Sequence, residues 1–134
     1  MTSAGTSGFL RGVDRTLGIL LALGAAGHTM GSLKTYSEQP MVLLWALCAS
    51  VLIVLLGVIN VLRVSRPRDA ALAWVCAGGL VCWLVAAIIF GKLVGNVFDF
   101  RVIIFAVLSI GLIFFSLRTV AASAPSGVPR TSQV

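Results

Sequence analysis

Charge is scarce in this sequence: of 134 residues, four are acidic, one is histidine and ten are lysine or arginine. The carboxylates at Asp14, Glu38, Asp69 and Asp99 form no pair suited to acid and base catalysis. A His-Glu-x-x-His metal site, a Gly-x-x-x-x-Gly-Lys-Ser phosphate loop and a nucleophile elbow are all missing, which removes the usual routes to hydrolysis and phosphoryl transfer. Cys48, Cys76 and Cys82 include no Cys-x-x-Cys pair, so thiol exchange and a disulfide framework are not indicated, and the three read as small packing residues. The basic residues form no stripe interleaved with aromatics, which argues against nucleic acid as a partner.

Apolar residues are what the chain does have, at 59% against 10% charged, a balance foreign to water-soluble domains of this size. Four long apolar runs, over residues 17–33, 41–62, 70–90 and 102–117, contain no Asp, Glu, Lys or Arg. A helix of about 20 apolar residues crosses a hydrocarbon core of about 30 Å, and lipid leaves no other way to pair the backbone of runs that lack strand alternation. The predicted fold is therefore an all-α integral membrane protein, an antiparallel bundle of four transmembrane helices. Its membrane domain covers residues 12–118, between mobile tails at 1–11 and 119–134 that are rich in small and polar residues. No acidic residue falls inside a run, which removes the embedded carboxylate that proton-coupled export would use.

The charges that exist are distributed by side. Arg11, Arg15, Arg63, Arg66, Arg68, Arg118 and Arg130 flank one end of the runs, and Lys34, Lys92 and Arg101 the other. The positive-inside rule then puts both termini in the cytoplasm. Arginine outnumbers lysine eight to two, and with abundant Ala, Gly and Val this composition suggests a GC-rich bacterial genome and a cytoplasmic (inner) membrane. Arg11 and Arg15 before an apolar run also resemble a cleavable secretory signal, but small residues continue to Gly31 and Ser32, as in a retained helix with a surface to pack.

Connections and faces follow from local chemistry. Pro40 suits the first turn of the second span, and Asp69 and Asp99 are natural caps for the third and fourth. Trp45 and Trp74 match interfacial anchors, while Trp83, Phe105, Phe114 and Phe115 read as packing or lipid contact. Small residues let helices approach closely in lipid, so Gly24, Gly27, Gly31, Gly57, Gly78 and Gly79 are expected in helix interfaces, with Gly27 and Gly31 as a Gly-x-x-x-Gly pair. In the third span the seam is expected along Ala71, Val75, Gly78, Gly79, Cys82 and Ala86. Asn60 is expected to hydrogen-bond between helices.

His28 is the leading site candidate, since an ionisable group at membrane depth is by default a functional hypothesis; its plainer role is a hydrogen bond to a neighbouring helix. The topology gathers Thr29, Ser32, Lys34 and Tyr36 near Lys92, Asn96 and Arg101, a ligand-binding candidate in which Lys34, Lys92 and Arg101 would hold a phosphate or carboxylate. Arg101 opposes the macrodipole of its helix and so calls for an anionic partner, Asp99 or Glu38. The function expected is a small binding or accessory subunit that packs on a partner or a hydrophobic ligand through its glycine-rich first helix, with no catalysis of its own. Two alternatives differ in class: an oligomeric transporter or channel lined by Ser50, Asn60, Ser109 and Ser116, and a redox component holding quinone or haem at His28. Haem would want a second axial ligand, which one chain cannot supply from histidine, although a second copy could. Lipid, quinone and haem are the ligands considered; no metal is assigned. Besides the bilayer, the partners expected are further copies of the chain or a larger membrane complex.

Overall fold

A computed structural model describes residues 3–93 and 95–124, with side chains from residue 7 onward. It consists of α1 (Ser3–Thr35), α2 (Pro40–Val64), α3 (Ala70–Leu93) and α4 (Phe100–Ser123), and no strand occurs among the described residues. All four helices are long and apolar enough to cross a membrane. Even the 24 residues of α3 or α4 reach about 36 Å at 1.5 Å per residue. α1, α2 and α4 outrun their apolar windows at both ends, and α3 only at its carboxyl-terminal end. The segment read as an amino-terminal tail is helical from Ser3, and α4 extends to Ser123; residues 125–134 lie outside the described residues.

Short connections and local caps set the helix boundaries. Pro40 opens α2, where its missing N–H needs no partner. The Asp69 carboxylate accepts from the Leu72 N–H at 2.9 Å, and that of Asp99 from the Arg101 N–H at 2.9 Å, satisfying donors that the first turns of α3 and α4 leave free. Arg101 Nε also meets Asp99 at 3.1 Å, so Asp99 is the anion that offsets a cation placed against the dipole.

Successive helices run back along one another, and the packing is uneven around the ring. α1 lies closely along α2 and α3 along α4, α1 touches α4 less, and α2 touches α3 least. The α1 and α2 contact centres on Gly57, where an added Cβ would stand 2.7 Å from the Ala22 Cβ and from the Gly18 carbonyl oxygen. Leu21, Ile53, Leu56, Leu80, Trp83, Phe105, Leu108 and Leu112 fill the centre. Polarity is inverted relative to a water-soluble protein: Asp14, Ser32, Ser50, Asn60, Arg63, Ser109 and Ser116 are buried, while Leu, Val, Ile and Phe dominate the exposed faces.

The face of α3 differs from the sequence expectation. Ala71, Val75, Gly78, Cys82 and Ala86 are exposed, and Ala73, Cys76, Ala77, Leu80, Trp83 and Ala87 point inward. Gly78 would meet nothing within 4 Å if it carried a Cβ, whereas Gly79 is pressed by Leu56 Cδ2 at 2.7 Å. Because α3 is apolar all round, spacing alone has no polar face to exclude from the interior; Leu80 and Trp83 fill the bundle better than the small seam does. Gly27 likewise has open space around it, so the Gly27 and Gly31 pair is not a close helix contact within this chain.

Candidate functional site

The weak contact between α2 and α3 has a local consequence. At the end of the bundle away from the 65–69 turn, the two helices flank a cavity of about 320 Å³, reached by His28, Ala46, Ala49, Trp83, Ala87 and Phe105. Alanines on α2 and α3 and Gly27 and Gly31 on α1 leave this volume unfilled. Its size falls at the low end of small-molecule sites, roughly 300–1,000 Å³.

His28 is half-buried on the α1 wall, with Nδ1 2.9 Å from the Ser50 hydroxyl of α2. That hydroxyl lies 3.2 Å from the Ala46 carbonyl, which can only accept, so the single Ser50 proton goes there and Ser50 Oγ accepts from His28 Nδ1–H. The neutral ring then presents a bare lone pair at Nε2, which has no protein partner among the described residues. Phe105 stands edge-on to His28, with centroids 6.5 Å apart, and edge-on to Trp83 at 5.7 Å. Trp83 is 8% exposed, and its indole Nε1 is buried without a hydrogen-bond partner. A buried orphan donor is uncommon, because native interiors pair nearly all such groups, and this one is enclosed by protein although the residue lines the cavity.

Arg101 and Tyr36 bring polar atoms to the same cavity. The Arg101 guanidinium leans toward α1, where its Nη1 would touch a Cβ at Gly31 at 4.0 Å. No Asp or Glu is in the lining. The site therefore offers hydrogen-bond donors, one imidazole acceptor and apolar walls. Among the described residues no three metal-ligating side chains converge.

The expected constellation assembles only in part. His28, Ser32, Tyr36 and Arg101 line the cavity, with Gly27 and Gly31; Thr29 is half-buried outside its lining. Lys34 and Lys92 are exposed and are not in its lining, so they do not join Arg101 in this cavity. The last turn of α3 instead turns Gly91 inward, against Val97 and Val102. Asn96 is engaged locally, accepting from the Phe98 N–H at 3.0 Å. Gly24 backs onto the Phe105 ring, 3.0 Å from the place a Cβ would take.

A second polar centre lies toward the opposite end, and sequence reasoning missed it. Arg63 of α2, 1% exposed, donates from Nη2 to Asp14 of α1 at 2.6 Å, from Nη1 to Thr119 of α4 at 3.1 Å and from Nε to Asn60 at 3.4 Å. Asn60 donates to the Leu56 carbonyl of its own helix at 2.8 Å, so its link to other helices runs through Arg63 rather than directly. One guanidinium thus joins three helices. The signal available in the sequence was the single acidic residue in the first helix, Asp14, which needed a cationic partner once buried.

No protein-family model, curated protein or solved structure matches this chain. Its class is defined by its own geometry: an all-helical bundle with an apolar exterior, a buried ion pair at one end and a histidine-walled cavity at the other.

Proposed function

We propose that this chain is an integral membrane protein whose cavity beside His28 holds an apolar ligand, and that it serves as a binding or accessory subunit rather than an enzyme. The apolar exterior over buried polar groups suits lipid as the outer solvent. Both termini lie on the cytoplasmic side of an inner membrane in this reading, because the Arg-rich end carries both of them. The chain works as a homo-oligomer or within a larger membrane complex.

The observation that carries the ligand reading is a mainly apolar cavity of about 320 Å³ whose lining includes the half-buried His28 imidazole, with no protein partner at Nε2, and Arg101. A matching ligand is hydrophobic, has an O–H for the imidazole and an acceptor oxygen for Arg101, and carries no positive charge, since no carboxylate is present to receive one. A quinol head group has this pattern, whereas the oxidised quinone supplies only acceptor oxygens, suited to Arg101. Haem fits less well, with His28 as its only imidazole. The transporter reading draws no such support: Ser50 is committed to His28, Asn60 to Arg63, and neither these nor Ser109 and Ser116 line the cavity.

Solvent extraction of the purified full chain followed by mass spectrometry tests the proposal. A lipid-soluble oxygenated molecule should be enriched over bulk membrane lipid, and His28→Ala should lower its retention roughly tenfold, the weight of one buried hydrogen bond. Extracts holding only membrane lipids in bulk proportion would refute it.

A further inference from the structure

The arginine-rich end of the bundle has two adjoining recesses. The first, about 180 Å³, lies between α1, α4 and the 65–69 turn and pairs apolar Leu10 and Phe115 with Arg11 and Arg118. The second, about 640 Å³, shares Arg11, Pro67 and Ala122 with it and adds Arg66 and Arg68. Five arginines, counting Arg63, therefore line this region against two carboxylates, and both carboxylates are engaged. Asp14 is bound to Arg63, and Asp69 caps α3. Among the described residues the close ion pairs are Arg63 with Asp14 and Arg101 with Asp99; Arg118 feels the Asp14 charge at longer range, and Arg11, Arg66 and Arg68 have no carboxylate ion-pair partner.

A solvated basic surface would account for the charge but not for its setting. The arginines come from α1, α4 and the connecting turn, they meet around a concavity, and apolar side chains form part of its wall. We propose that this recess seats the phosphate of an anionic phospholipid, with the glycerol and first acyl carbons against Leu10 and Phe115. Guanidinium forks bind phosphate oxygens in pairs, and an anionic leaflet favours basic pockets at the membrane boundary. Free phosphate would gain nothing from the apolar wall. The inference rests on the membrane reading but is independent of the His28 cavity.

The test uses the full chain in phosphatidylcholine vesicles containing a minor share of phosphatidylglycerol. Flotation with the vesicles first establishes insertion, so failure of the membrane reading is seen separately. Native mass spectrometry from mild detergent should then show phosphatidylglycerol retained in preference to phosphatidylcholine. R11A/R118A should reduce that preference about tenfold or more, R11K/R118K should keep most of it, and K34A/K92A at the other end should leave it unchanged. Equal retention of the two lipids, an undiminished preference in folded R11A/R118A, or displacement of the lipid by millimolar inorganic phosphate would each overturn the proposal.

Discussion

Asp14 and Arg63 are separated by 49 positions in the chain and by 2.6 Å in the fold. Their side chains are 9% and 1% exposed, and Thr119 and Asn60 occupy further guanidinium donors. Taking an arginine out of solvent is costly unless its charge is met and its donors are filled, so the pair ties the register of α1, α2 and α4 to one geometry.

Asp14→Ala should destabilise the bundle by about 3–5 kcal/mol, because it strands a buried guanidinium. Asp14→Ala combined with Arg63→Met should recover a large part of that loss, since no buried charge then remains. Thermal unfolding in detergent, followed by circular dichroism, gives the comparison; a double variant less stable than Asp14→Ala would contradict the pairing.

The glycines of α2 and α3 should respond in opposite ways. At Gly57 a methyl group would stand 2.7 Å from backbone atoms of α1, so Gly57→Ala should cost about 1–3 kcal/mol through overpacking. Gly78 faces open space, and Gly78→Ala should stay within about 0.5 kcal/mol of wild type in the same unfolding assay.

Filling the cavity should remove ligand without removing fold. Ala49→Phe places a ring where the α2 wall now leaves room, and it should abolish retention of any extracted apolar molecule while helicity is preserved. Trp83→Phe deletes a buried unpartnered N–H but keeps most of the packing, so the unfolding temperature should hold or rise.

Loss of the α4 cap should be modest and local. Asp99→Ala frees the Arg101 N–H and leaves the Arg101 cation uncompensated, for an expected cost of about 1 kcal/mol. Hydrogen exchange should quicken in the first turn of α4 before it changes elsewhere.

Much of this architecture can be read from residue order. Four apolar runs mark the helices, and Pro40, Asp69 and Asp99 act on backbone donors within their own first turns, a range over which sequence neighbours are also spatial neighbours. Arg101 implied its anion for the same reason. The exclusion of charge from the apolar windows is what concealed Asp14 and Arg63: each lies just outside a run, yet each is inside a helix that continues beyond it.

Composition and short-range chemistry by themselves determined how many helices form, where α2, α3 and α4 begin and which end is rich in arginine, because helix formation, capping and hydropathy depend on residues a few positions apart. Tertiary structure alone decided that α3 turns Leu80 and Trp83 inward, that Arg63 pairs with Asp14, and that α2 and α3 stand apart around His28. Those outcomes depend on how whole helices fill space against one another, and a helix apolar on every side carries no local signal to choose among its faces.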